Sequence, residues 1–81
     1  RCALLSDSLA IEVEWPSKPY EAIGQSLHYS EQLQKPPAML FLLSDQRTSE
    51  REYVLERVGA VADRLGIEIL WYDTKENDFI E

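Results

Sequence analysis

Six consecutive apolar residues, Ala38-Met39-Leu40-Phe41-Leu42-Leu43, stand between a double proline, Pro36-Pro37, and the polar pair Ser44-Asp45. The run is too short to cross a membrane, which takes roughly 18–20 apolar residues, but it has the length of a β-strand. Because no polar residue interrupts it, the run predicts a central strand covered on both faces. The rest of the chain has to be arranged around it.

Upstream, Leu9-Ala10-Ile11-Glu12-Val13-Glu14-Trp15 alternates cleanly. Leu9, Ile11, Val13 and Trp15 share one face of a strand, and Ala10, Glu12 and Glu14 share the other. Ser6-Asp7-Ser8 is a turn cluster that joins this strand to Arg1–Leu5 as a β-hairpin. Pro16 ends the second strand, since it cannot donate to a ladder. With Ser17 as N-cap, the spacing predicts a helix from Lys18 to Gln34, stopped by Lys35-Pro36-Pro37. Downstream, Ser49 and Glu52 form a capping box. Val54, Val58, Val61 and Leu65 then recur at helical spacing up to the stop at Gly66. Ile67–Tyr72 reads as a last strand, parallel to the central one through a right-handed crossover. Residues 73–81 read as a loose acidic tail. The predicted order is β-β-α-β-α-β, an α/β sandwich in a single domain over residues 1–81.

The chain of 81 residues carries a net charge of −7, which does not suit a protein held to phosphate by basic excess alone. A nucleic-acid role would need a bound cation, a second subunit or further sequence. Cys2 is the lone cysteine and His28 the lone histidine, so neither a disulfide framework nor a Cys/His zinc cluster is available. No secretory signal pattern is visible, and a cytoplasmic location without membrane association is expected.

Glu12 and Glu14 project from one face of a strand about 6.6–6.8 Å apart along its axis. The plain reading is a solvent-exposed face. The sharper one is that two acids fixed on a rigid strand hold a hard divalent cation such as Mg²⁺. On the following helix Lys18, Glu21, Gln25 and Tyr29 form one polar stripe, with Ala22 and Gly24 leaving room for close approach. A lysine beside two carboxylates suits a metal-dependent hydrolase, in which it orients or helps deprotonate a water. A solvated helix face with an ordinary Lys18–Glu21 pair is the competing reading. Cys2 reads as a buried strand residue, His28 as a helix-surface residue, and Trp15 and Trp71 as core or interface anchors. Arg47 and Arg51, around the start of the second helix, are possible DNA contacts.

The run Ala10-Ile11-Glu12-Val13-Glu14-Trp15, followed by Lys18 and by Tyr20-Glu21-Ala22-Ile23-Gly24-Gln25-Ser26-Leu27-His28-Tyr29, resembles nucleases of the PD-(D/E)XK superfamily. Gln25-x-x-x-Tyr29 is similar to the Q-x-x-x-Y element of RecB-like members. The likeness covers residues 1 to about 45, and the later strand–helix–strand order agrees with it. It implies a restriction-endonuclease-like sandwich, a mixed sheet flanked by helices, and Mg²⁺- or Mn²⁺-dependent hydrolysis of DNA, with RNA not excluded. Glu12 matches the metal-binding acid. Glu14 stands where the family commonly has lysine, a role Lys18 would take over, with Gln25 and Tyr29 supporting it.

The expected first metal-binding aspartate falls nine residues before Glu12, where the chain has Ala3. The resemblance therefore implies a catalytically impaired nuclease. With the rest of the set intact, an inactivating substitution explains Ala3 better than natural decay. Nucleases of this fold usually begin with a helix ahead of the acid-bearing hairpin. Either that segment is missing from this chain or another subunit replaces it; the uncovered first strand and the thin core predict a homo-oligomer. The competing reading is a non-catalytic nucleic-acid-binding or protein-assembly module on the same fold.

Overall fold

The computed structural model describes residues 2–80, of which 2–5 by backbone alone. The elements are β1 (Cys2–Leu5), β2 (Ala10–Glu14), α1 (Pro19–Leu33), β3 (Pro37–Leu43), α2 (Arg47–Val54), a π-helical segment (Leu55–Gly59), α3 (Ala60–Leu65), β4 (Glu68–Asp73) and β5 (Asp78–Ile80). The five strands form one mixed sheet in sequential order, with β2, β3 and β4 parallel and β1 and β5 antiparallel at the edges. Among the described residues no helix is long and apolar enough to cross a membrane.

The β1–β2 turn is closed by Ser6, whose Oγ accepts the Leu9 N–H at 2.8 Å, while the Ser6 N–H donates to the Leu9 carbonyl at 3.1 Å. Helix α1 starts one residue later than the sequence spacing predicts. Pro19 takes the first helical position, where its missing N–H is harmless, so Lys18 rather than Ser17 is the N-cap. The helix ends with Gln34 in the left-handed conformation, φ 55°, its N–H donating to the Ser30 carbonyl.

Both crossovers, β2–α1–β3 and β3–α2/α3–β4, step the same way across the sheet. Right-handed connections then place both helices on one face. The core agrees: Ala22 of α1, Val54, Val58 and Ala62 of the second helical stretch, and Met39, Phe41, Leu43 and Trp71 of the sheet form a single cluster with Ile67. Among the described residues the helices thus lie on one face only, although the central strand is buried on both, with Ala38 and Leu40 buried on the face opposite the helices. The opposite face presents Ile11, Val13, Leu40, Leu42, Leu70 and Tyr72. Of these, Val13 and Leu40 are buried and the others are half-buried.

Three further expectations are corrected. The capping box does not form, because α2 begins at Arg47, two residues before Ser49. Glu50 reaches back instead, accepting from the Ser44 N–H at 2.8 Å and the Ser44 hydroxyl at 3.0 Å. The apolar series shifts phase: Val54 and Val58 are buried, but Val61 is 47% exposed and Ala62 takes its place at 1%. The π-helical segment at 55–59 widens one turn and moves the inward position on by one residue. Finally, the tail is not loose. Residues 78–80 form β5, and Phe79 packs edge-on against Tyr72 with ring centroids 5.1 Å apart.

Candidate active site

The acidic face of β2 is the helix-covered face. Ladder partners on adjacent strands share a face, and Glu12 is level with Met39, Glu14 with Phe41. Ala10 and Glu12 are fully buried and Glu14 is 3% exposed, so the reading of this face as a solvated surface is overturned. Burying a carboxylate is costly unless the surroundings compensate it. At Glu14 part of that compensation is local, since Oε1 accepts the Trp15 N–H at 2.9 Å.

Helix α1 lies over β2 and β3 and against the π-helical segment. It turns Pro19, Ala22 and Ser26 to the sheet, all buried, and Ile23 toward the shared core. Small side chains at 22 and 26 allow the close approach. By helical periodicity Lys18, Gln25 and Tyr29 fall on the flank opposite Ile23, the side of β1 and β2. Gln25 and Tyr29 are half-buried there, and Lys18 is exposed at the N-cap, beside the C-terminal end of the Glu14 strand. Glu21 lies farther toward solvent. The stripe thus borders the acid-bearing strand, with the lysine exposed and the acids closed beneath the helix. Gly24 does not serve close packing: a β-carbon there would meet nothing within 4 Å.

Ala3, at the position the resemblance assigns to the first metal-binding acid, is the ladder partner of Glu12. Among the described residues no three His, Cys, Asp or Glu side chains are grouped to hold a metal ion. Two carboxylates shut under α1, with alanine on the neighbouring strand, do not fit a hydrated Mg²⁺, which needs near-octahedral oxygen ligands and room for waters.

Arg47 and Arg51 border one cavity of about 260 Å³ with Thr48, Glu52 and Leu55, but both already have partners. The Arg47 guanidinium donates to Asp73 Oδ2 at 2.7 Å, and Arg51 lies over the Trp71 ring, 5.1 Å from its centroid. Asp73, read from sequence as a solvating tail acid, is 4% exposed. Its Oδ1 accepts the N–H groups of Lys75 at 2.8 Å and Glu76 at 3.1 Å, closing the β4–β5 turn. The Glu76 N–H above all, with that of Lys75 and the Arg47 guanidinium, holds its carboxyl below the usual carboxylate range against an opposing push from burial. Asp73-Thr74-Lys75-Glu76-Asn77 carries the signature of an Asx turn, which is the signal that could have found it. Trp71 is a core residue, whereas Trp15 is 52% exposed.

Comparison with known proteins brings no family. No family model matches the chain, and no curated protein or solved structure is significantly similar to it. Any assignment rests on the residues themselves.

Proposed function

We propose that the domain is a nuclease module of the PD-(D/E)XK type in a catalytically impaired form, acting on or binding DNA. The observation that carries this reading is the pairing of Ala3 with Glu12. The position that nine-residue spacing singles out is directly opposite Glu12 in the β1–β2 ladder. In the competent form, aspartate at position 3, Glu12 and in part Glu14 would hold Mg²⁺ or Mn²⁺, which supplies charge neutralisation at the phosphate. Lys18 would orient the attacking water from the N-cap of α1, and Gln25 and Tyr29 would steady it. Arg47 and Arg51 offer their remaining donors to the DNA backbone. RNA remains an alternative substrate.

The experiment is Mg²⁺-dependent cleavage of DNA by Ala3→Asp beside the parent chain. Cleavage that appears with Ala3→Asp and vanishes again with the added Glu12→Gln supports the reading. A folded Ala3→Asp with no cleavage of any DNA counts against it.

One observation favours a second reading, a non-catalytic assembly or binding module. The sheet face opposite the helices has no helix over it among the described residues and carries the half-buried Ile11, Leu42, Leu70 and Tyr72, apolar surface of the kind that can mark an interaction site. The same face supports a homo-oligomer. A module of this second kind binds no divalent metal even as Ala3→Asp.

A further inference from the structure

Cavities formed by described residues gather where the parallel strands end, the side on which open α/β sheets receive ligands. One of about 340 Å³ is lined by Pro16 and Ser17, from the turn after β2, and by Ser49, Glu50 and Tyr53 of α2. Pro16 and Ser17 lie in the chain between Glu14 and Lys18, so this cavity abuts the proposed site. The volume falls at the small end of ordinary ligand pockets.

Its walls have one chemistry. Tyr53, 41% exposed, and Pro16 contribute the apolar part of the lining. The Glu50 carboxylate is engaged by the Ser44 N–H and hydroxyl. Ser17 and Ser49 supply hydroxyls, that of Ser49 donating to the Gln46 carbonyl and so keeping its lone pairs for an incoming donor. The Arg57 guanidinium lies over the Tyr53 ring, 3.6 Å from the centroid, and is held there by its bond to the Tyr53 carbonyl at 3.2 Å. Lys18 adds a second cation beside Ser17. Both cations border the cavity rather than line it, and Arg57 is also 3.9 Å from the Glu56 carboxylate. A flat heteroaromatic ring carried on an anionic backbone matches this combination.

We propose that the cavity takes an unpaired nucleobase stacked on Tyr53, with the adjoining phosphates near Lys18 and Arg57. A base inside a duplex cannot enter a lateral cavity without leaving its stack. The substrate class is therefore single-stranded or frayed nucleic acid. This rests on the nucleic-acid reading above and narrows it.

The test is fluorescence anisotropy at low salt with fluorescein-labelled oligothymidine, alone and annealed to oligoadenosine, on the parent chain, Tyr53→Ala and Tyr53→Phe. The single strand is expected to bind more tightly than the duplex. Tyr53→Ala should weaken it about tenfold and Tyr53→Phe should leave it unchanged, because the ring stacks without its hydroxyl. Thermal melts check that both variants are folded. Single-strand binding indifferent to a folded Tyr53→Ala, or duplex bound as tightly as single strand, overturns the cavity assignment and leaves the nuclease reading standing. No binding of either probe by the parent chain overturns both.

Discussion

Ala3 on β1 and Glu12 on β2 are ladder partners in an antiparallel pair. Such partners have their β-carbons about 4.5–5.5 Å apart on one face of the sheet. The face in question is the one that α1 covers, where Glu12 and Glu14 are buried. Position 3 of β1 is thus level in the sheet with the buried Glu12.

The phase shift in the second helical stretch separates two valines that look alike in sequence. Val58 is 1% exposed and Val61 47%. Val58→Ala should cost about 2 kcal/mol or more, from lost burial and the cavity left behind. Val61→Ala should stay within about 0.5 kcal/mol. Urea denaturation of the two variants measures both, and equal costs would contradict the shifted register.

Two glycines should respond in opposite directions. Gly24 is exposed on α1 with open space around it, so Gly24→Ala should raise stability by about 0.5–1 kcal/mol through helix propensity. Gly66 sits at φ 71° after α3, where an L-residue is strained, and Gly66→Ala should lower stability by about 1–2 kcal/mol. Thermal melts of each check the signs.

Asp73 sets an acid limit on the β4–β5 corner. Its carboxyl is held below the ordinary value, so the folded state binds its proton more weakly than the unfolded chain does. The stability it contributes is complete above the ordinary carboxylate range and is lost as pH falls through the lower folded value. Asp73→Asn keeps an acceptor for the turn but loses the charge pair with Arg47. It should melt below the parent at neutral pH, and the gap should close in acid. Melting curves across that range measure it, and a constant gap would contradict the assignment.

Much of the architecture was legible because its signals are local. Alternation over residues 9–15, the unbroken run 38–43, and Pro19 and Gly66 at helix ends each carry their own physical reason. What failed depended on the three-dimensional arrangement. The π-helical turn leaves no mark in an i, i+4 pattern until the exposures of Val61 and Ala62 are compared. The placement of both helical stretches on one face follows from the stepping direction of two crossovers, which apolar content alone does not encode. Glu12 and Glu14 alternate with apolar residues as a solvated face would, and only the placement of α1 buries them. Tyr53 and its cavity went unnoticed because Pro16 and Tyr53 are far apart in the chain.

The most direct measurement is a calorimetric titration of Mn²⁺ into the parent chain and into Ala3→Asp, both checked as folded. A completed carboxylate set predicts saturable, stoichiometric binding by Ala3→Asp and little heat from the parent. The same weak response from both proteins would contradict a metal site built across β1 and β2.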